Sequence, residues 1–484
     1  MALAFPKTNA TVLAPVGAAA LYWAWFGLSP KRAFLVGWAA GTVFFAINYA
    51  WFGETAGALI APFGEFLTLG PGIGDALFGF ALPALAIALL QRRGRPDLVP
   101  LGAAAIFAFA EWFRCEGLGV LGVPFGSIGY SQVESPLAPL ASYIGTYGVS
   151  FALALLGAYA AYAVRASFAL SALRPAGIAY GAVIVAVAFA WLAWPAKSLA
   201  APAFKVAAVQ GNIAQPLKFT DAAYREALAR YTSLTLSLKN AHVKLVVWPE
   251  TVIIRALNLD QALQTRFGAL AKSVDAELIV GTFEVLNQNK EYNALFFFRP
   301  DGGLDAVYKK RQLVPFAEHL PLRPLLTWIP WTEKVNDIGT GDDPGVVNVN
   351  GMRVGPIVCW ESAFSGLNVG DVRRGAQLLA IATDDAWFGS TAGPYMHAQI
   401  AQMRALETGR WIVRAGATGI SGIVAPNGLY TRSTKLEVAT VVVGAVGMPV
   451  DTVYDAIGPV PVALACLAIY GGIFAWPARR RVRH

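Results

Sequence analysis

The sequence predicts a helical membrane bundle joined to a soluble, layered α/β domain. Three observations carry this. The 484 residues are 56% hydrophobic and 14% charged, where soluble domains average about a quarter charged, so part of the chain is built for lipid. The deficit is uneven: Met1 to about Pro195 consists of long apolar runs, whereas about Lys205 to Asp455 has a globular composition. Within that second region short β-branched runs alternate with helical stretches. The expected division is a membrane domain over 1–200 with about six transmembrane helices, a soluble domain over 204–455, and a last transmembrane helix with a basic tail over 456–484.

Apolar stretches lie near 10–28, 33–52, 72–90, 98–114, 138–163, 177–195 and 457–477. Each approaches or exceeds the ~20 residues that cross a hydrocarbon core. The first is not expected to be a cleaved signal, because one basic residue precedes it and Ser29-Pro30-Lys31-Arg32 leads straight into the next. Lys31 and Arg32, then Arg92, Arg93 and Arg95, then Arg165 and Arg174, then Arg479, Arg480, Arg481 and Arg483 follow alternate stretches. The intervening loops 53–71 and 115–137 lack Lys and Arg but carry Glu54, Glu65, Glu116 and Glu134. The positive-inside rule puts the basic loops in the cytoplasm and both the amino terminus and the soluble domain on the outer face. The net charge of +8 resides largely in these loops and the tail, so it reads as a topology signal and nucleic acid is not an expected partner. Glu111 and Arg114 share a helical face near the outer end of the fourth stretch, either as functional ionisable residues or as an ion pair that orients the helix.

In the soluble region Lys205–Gln210, Lys244–Trp248, Glu277–Gly281, Ala294–Phe298, Val354–Val358 and Leu378–Ala382 read as buried strands. Asp221–Asn240 and His397–Arg410 read as helices, the first with Asp221 as N-cap. Three segments place an ionisable residue at a strand end, where α/β sheets build sites. They are Trp248-Pro249-Glu250; Tyr308-Lys309-Lys310 through Phe316, with Glu318 beyond; and Val358-Cys359-Trp360-Glu361-Ser362. Cys359 is the domain's one cysteine, so no disulfide can form within it, and the thiol is either a buried hydrophobe or a nucleophile. A cysteine attacks a carbonyl as thiolate and needs a base. Glu250 can take the proton, and Lys310, with a backbone N–H near Trp360, can stabilise the oxyanion, each such donor being worth roughly 3–4 kcal/mol of barrier. His242, His319, His397 and His484 lack metal-ligand spacing, and there is no Gly-rich phosphate loop.

These segments resemble the Glu–Lys–Cys triad of the nitrilase, or carbon–nitrogen hydrolase, superfamily, and seven spans around such a domain resemble its membrane branch, the apolipoprotein N-acyltransferase family. Also similar are Gln210-Gly-Asn-Ile213 with Gln215 and Leu217-Lys218, Leu313-Val-Pro-Phe316 with Glu318, and Asp385-Ala-Trp-Phe-Gly389 with Gly393-Pro394, His397 and Met403–Glu407. In the membrane part the similar residues are Glu111 and Arg114, Pro124-Phe125 and Gly129-Tyr-Ser-Gln132. The resemblance implies an αββα sandwich on a helical membrane base, in a bacterial inner membrane, with the domain on the periplasmic face. It implies ping-pong transfer of an acyl chain from a phospholipid, through a Cys359 thioester, to the α-amine of a diacylglyceryl-cysteine lipoprotein. Glu250 would be the base and Lys310 the oxyanion donor, with Glu318, Glu361 and Trp360 in support. Lys309 is a competing lysine, but the spacing from Tyr308 and to Glu318 favours Lys310. Phe219, Trp248, Trp387 and Phe388 are candidate substrate contacts. No cofactor or metal is implied, and a monomer is expected.

The sequence departs from the family in places. Seven spans are counted where eight are usual, Trp360 stands for tyrosine, Ala317 for glycine, Asp384 for asparagine and Phe219 for tryptophan. These neighbours bear on substrate identity more than on reaction class. The competing expectations are a related acyltransferase or amidase with another donor or acceptor, and a non-enzymatic envelope-assembly protein.

Overall fold

The computed structural model describes residues 1–53, 64–93, 96–193, 202–213, 220–287, 290–329, 332, 335, 337–342 and 345–476. Phe219, Gln215, Leu217, Lys218, Glu54, Arg95 and the basic tail 479–483 lie outside the described residues. The chain forms two compact units, one of Met1–Trp194 with Thr452–His484, the other of Pro195–Asp451.

The first unit is helical: α1 (Leu13–Trp25), α2 (Pro30–Asn48), α3 (Gly64–Ala76) continuing through a π-turn into α4 (Leu82–Gln91), α5 (Val99–Trp112), α6 (Ala141–Arg165) and α7 (Leu170–Ala193). Among the described residues, Gly70–Gln91, Ala138–Arg165 and Leu170–Ala193 are long and apolar enough to cross a membrane; Leu13–Trp25 and Pro459–Ala475 are shorter apolar helices. The expected Glu111–Arg114 pair is not what forms. Arg114, 1% exposed, pairs with Asp75 at 2.9 Å, and its guanidinium also donates to the Tyr49 hydroxyl and to the carbonyls of Val123 and Phe125. Glu111 accepts from the N–H of Ile128 at 2.8 Å. Both charges thus hold the irregular segment that follows their own helix, where backbone groups away from water must find partners.

The second unit opens on β1 (Pro202–Gln210), α8 (Asp221–Leu236), β2 (Leu245–Val247), α9 (Gln261–Val274), β3 (Glu277–Asn287), β4 (Lys290–Phe298) and β5 (Leu304–Lys309). A short α10 (Arg323–Leu326) precedes β6 (Val347–Val349), β7 (Met352–Val358), α11 (Ser365–Arg373), β8 (Leu378–Thr383), α12 (Gly393–Thr408), β9 (Trp411–Gly416), β10 (Gly422–Val424), β11 (Tyr430–Ser433) and β12 (Thr440–Gly447). Two six-stranded sheets result, ordered β12-β1-β2-β3-β4-β5 and β11-β10-β9-β8-β7-β6. Side-chain alternation along each strand builds four layers. Val206, Ala208, Val247 and Ile279 face Val358, Ala380 and Val413 between the sheets. Ala207, Val246 and Leu278 pack outward on Ala227, Tyr231 and Phe267 of α8 and α9, and Ile357, Ile381 and Ile412 pack on Val372 and Ala401 of α11 and α12. The αββα sandwich expected from the resemblance is the fold. α13 (Val453–Ile457) and α14 (Pro459–Ala475) return to the first unit.

The cap of α8 is Thr220, whose hydroxyl accepts from the N–H of Ala223 at 3.2 Å, not Asp221. Asp221 falls in the first turn and pairs with Arg255 at 2.7 Å.

At the start of β3, burial raises the Glu277 pKa to about 7, with Asp305 and Asp301 adding to the rise against Arg299. A carboxyl whose folded pKa lies above its unfolded value weakens the fold once pH passes the unfolded value, and fully so above the folded one. Glu277→Gln is therefore expected to stabilise the protein at pH 8 by about 1–2 kcal/mol. The gain should vanish below about pH 4, read as the difference in thermal unfolding midpoint across a pH series.

Candidate active site

The C-terminal ends of β2, β5, β7 and β8 deliver the site's residues. Glu250 follows β2, Lys310 follows β5, Cys359 follows β7 and Asp384 follows β8. Glu250, Lys310 and Cys359 are 5%, 1% and 8% exposed, so all three sit where an unpartnered charge would be costly. The Lys310 ammonium donates to Glu250 Oε1 at 2.9 Å and to Glu318 Oε1 at 2.8 Å. Asn293 Nδ2 donates to the same two oxygens, at 2.7 and 3.2 Å. The N–H of Asp384 donates to Glu250 Oε2 at 3.0 Å, and that of Val314 to Glu318 Oε2 at 2.8 Å. Each carboxylate is thereby fixed through both oxygens.

Burial pushes the Lys310 pKa down, but Glu250 and Glu318 outweigh it and hold the group well above the ordinary lysine range, so it stays an ammonium at neutral pH. Burial is also the largest influence on Cys359. It carries the thiol well above its ordinary range, with Glu250 adding to the rise, and with Lys310 and the Thr383 hydroxyl opposing it. The cysteine therefore rests as a thiol within electrostatic reach of both Glu250 and Lys310, and would have to lose its proton to act as a nucleophile.

Backbone geometry presents the sulfur. Cys359 has φ +49°, in the left-handed region, at the break between β7 and the 3-10 turn Cys359–Ala363. Such a conformation costs a non-glycine residue about 1–3 kcal/mol and persists where the surroundings enforce it. Glu361, fully buried, supplies part of that enforcement. Its Oε2 accepts from the N–H of Val358 at 2.7 Å and the Tyr308 hydroxyl at 2.8 Å. Its Oε1 accepts from the N–H groups of Arg311 and Gln312 at 2.5 and 3.2 Å. One carboxyl thus ties the turn carrying the cysteine to the loop carrying the lysine. On the other side, Gly281 of β3 leaves room for the Glu250 turn: a Cβ there would lie 2.0 Å from the Pro249 carbonyl oxygen.

Residues 205–449 match the family model described as carbon-nitrogen hydrolase, and residues 1–159 match that of the apolipoprotein N-acyltransferase N-terminal domain. The proteins named apolipoprotein N-acyltransferase from Azotobacter vinelandii and Pseudomonas syringae pv. tomato are 34% and 32% identical to this chain, over 87% and 92% of it and 82% and 88% of their own lengths. The chain belongs to the apolipoprotein N-acyltransferase family. The Geobacter metallireducens protein of that name is 29% identical over 100% of this chain and 94% of its own. Among solved structures, a nitrilase-superfamily amidase from Nesterenkonia aligns at 18% identity over 51% of this chain and 91% of its own, with a TM-score of 0.40.

Of the positions that the family resemblance pointed to, Glu250, Lys310, Glu318 and Cys359 come together. Lys309, the competing lysine, points elsewhere: it pairs with Glu284 at 2.9 Å and lies 4.6 Å from the Tyr292 ring centroid. Trp360 is buried with its ring edge-on to Phe364. Trp387 is half-buried, whereas Phe388 is buried against the His397 ring. Trp248 is a correction. As a substrate contact it would need an open face, but it is fully buried among Tyr231 and Phe267, with its indole N–H donating to Thr235 at 2.9 Å. Asn293 was missed, its one signal being a lone amide within the buried strand run Tyr292–Phe298. Arg311, also missed, pairs with Asp371 at 2.6 Å and donates to the Tyr308 hydroxyl.

Four donors converge on Glu361, so its isosteric amide must turn an NH₂ toward two of them. Glu361→Gln is expected to destabilise the soluble unit by about 3 kcal/mol or more. A lowered denaturant midpoint checks this, and a midpoint equal to that of the unsubstituted protein would contradict the four-donor account.

Proposed function

We propose that this protein is an apolipoprotein N-acyltransferase of the bacterial inner membrane, multi-pass, with its soluble domain on the periplasmic face. It takes an acyl chain from a phospholipid and delivers it to the α-amine of a diacylglyceryl-cysteine lipoprotein. The distribution of Lys and Arg between alternate loops supports the orientation. What supports the chemistry most is one buried ammonium fixed between two carboxylates beside a thiol. All residues invoked come from one chain, and we read it as acting as a monomer.

In the first half, Glu250 takes the Cys359 proton as the sulfur attacks the sn-1 ester carbonyl of a phospholipid such as phosphatidylethanolamine. The C–S bond forms while Lys310 donates to the oxyanion. Collapse breaks the C–O bond, and the proton held by Glu250 passes to the leaving alkoxide, releasing lysophospholipid. In the second half, the acceptor amine attacks the thioester and gives its proton to Glu250. The C–S bond breaks, the amide leaves, and the proton returns to the sulfur. Glu318 holds Lys310 from the far side throughout. Trp387, the half-buried ring of the Asp385–Gly389 segment, is the remaining described candidate for an acyl contact.

Incubating the full chain in detergent micelles with phosphatidylethanolamine should add one fatty-acyl mass to the peptide containing Cys359, and Cys359→Ala should abolish it. Lys310→Met should slow that acylation about 10²–10³-fold, as loss of an oxyanion donor does. Adding a diacylglyceryl-cysteine peptide should then move the acyl mass to its amino terminus. Absence of any acyl mass on Cys359 would sink the thioester chemistry. An acylated cysteine that yields only free fatty acid would leave a hydrolase in place of a transferase.

A further inference from the structure

Behind the nucleophile lies a second buried ionic cluster that the reaction above does not use. Asp385 and Arg414 are each 0% exposed, and His397 and Ser362 each 1%. Arg414 donates to Asp385 Oδ2 at 2.7 Å, the Thr383 hydroxyl donates to Asp385 Oδ1 at 2.9 Å, and His397 Nδ1 lies 2.9 Å from the same oxygen. At the other edge of the ring, His397 Nε2 is 2.8 Å from Ser362 Oγ and 3.2 Å from the carbonyl oxygen of Cys359, to which the Ser362 hydroxyl donates at 2.7 Å. The imidazole thus links a fixed carboxylate to the backbone of the nucleophile itself.

Every neighbour restrains that ring. Phe388 stands nearly perpendicular to it at 5.9 Å. Gly419 packs so closely on Asp385 that a Cβ there would lie 2.1 Å from Oδ2, so only a glycine allows the carboxylate this position. Arg414 also donates to the carbonyl of Ile420, which fixes the guanidinium. Sealing four polar side chains from water is unfavourable unless they are mutually bonded, and here the chain of bonds ends, through His397 and Ser362, on the Cys359 turn. The turn needs such a hold because Cys359 is in a left-handed conformation that a thiol-bearing residue rarely adopts.

We propose that His397 is a positioning residue for the thiol: Asp385, braced by Arg414, orients the ring, and its Nε2 edge with Ser362 fixes the Cys359 carbonyl and hence the direction of Sγ. The proposal rests on Cys359 being the nucleophile but not on the identity of the acyl donor. A ring that orients the sulfur affects the rate of bond formation at sulfur, not the affinity for lipid.

The test uses the full chain in detergent, with iodoacetamide as the probe of Sγ and phosphatidylethanolamine as the acyl donor. Gln at 397 can place an amide near the Nε2 position, whereas Asn reaches only the Nδ1 position. His397→Asn should therefore lower kcat for thioester formation about 10–100-fold with KM for the lipid unchanged, the scale of a misplaced reacting atom. Iodoacetamide alkylation of Cys359 should slow in parallel, and His397→Gln should recover much of both rates. Equal rates in all three proteins would overturn the proposal. So would a loss matched by a smaller fraction of folded protein, or losses identical for Asn and Gln, since either indicates packing alone. Should no lipid thioester form even in the unsubstituted protein, the donor assignment fails, while the alkylation rates still decide the role of His397.

Discussion

A primary ammonium almost wholly removed from water is the constraint around which the soluble unit is organised. Taking Lys310 out of solvent costs several kcal/mol unless its charge is met at close range. Glu250 and Glu318 meet it at 2.9 and 2.8 Å, yet two carboxylates sharing one ammonium leave a net negative charge that also needs compensation. Neutral donors supply it: the Asn293 amide and the N–H groups of Asp384 and Val314. The three donors come from β4 and from the segments that follow β8 and β5, so the charge balance at the site ties three separate stretches of backbone together. Gly281 belongs to the same logic, because only a bare Cα lets the Glu250 turn lie against β3.

The two sheets contribute unequally, and Glu361 reconciles them. Glu250 and Lys310 follow strands of the first sheet, while Cys359 follows a strand of the second. Between the sheets the contacts are apolar and non-directional, which sets spacing but not angstrom-level registry. Glu361 adds direction by accepting from Val358 on one side and from Tyr308, Arg311 and Gln312 on the other. Burying a carboxyl for this purpose is tolerable because every lone-pair direction is filled.

How much of this the sequence revealed depends on the range of the interaction. The strands were legible because burial on both faces leaves a continuous apolar run; Lys310 and Cys359 directly follow the ends of β5 and β7, and Glu250 lies three residues beyond the end of β2. The spacing from Tyr308 and to Glu318 favoured Lys310 over Lys309, and the strand accounts for the different partners of the two lysines, since β5 ends at Lys309 and adjacent side chains leave in opposite directions. Asn293 was not legible, because its value lies in contacts to residues 43 and 25 positions away. The partner of Arg114 was missed for the same reason: Glu111 is one helical turn off, but Asp75 arrives from another helix, 39 positions distant. Trp248 misled because an aromatic beside a catalytic motif reads alike whether it faces the core or the substrate.

Burial and the charges around Cys359 also govern when its sulfur can ionise. A thiolate at rest would be open to oxidation and to stray electrophiles, both of which attack the ionised form. Burial and the neighbouring Glu250 keep the sulfur protonated, so reactivity is withheld until something accepts the proton. In the proposed reaction Glu250 is that acceptor, and a proton passed to it removes the repulsion that adds to the burial-driven rise of the thiol pKa. On that proposal proton transfer and attack favour one another, and an ester carbonyl within reach of Lys310 would draw both forward. The negative charge that helps burial to keep the resting thiol protonated is then the charge whose neutralisation eases its ionisation.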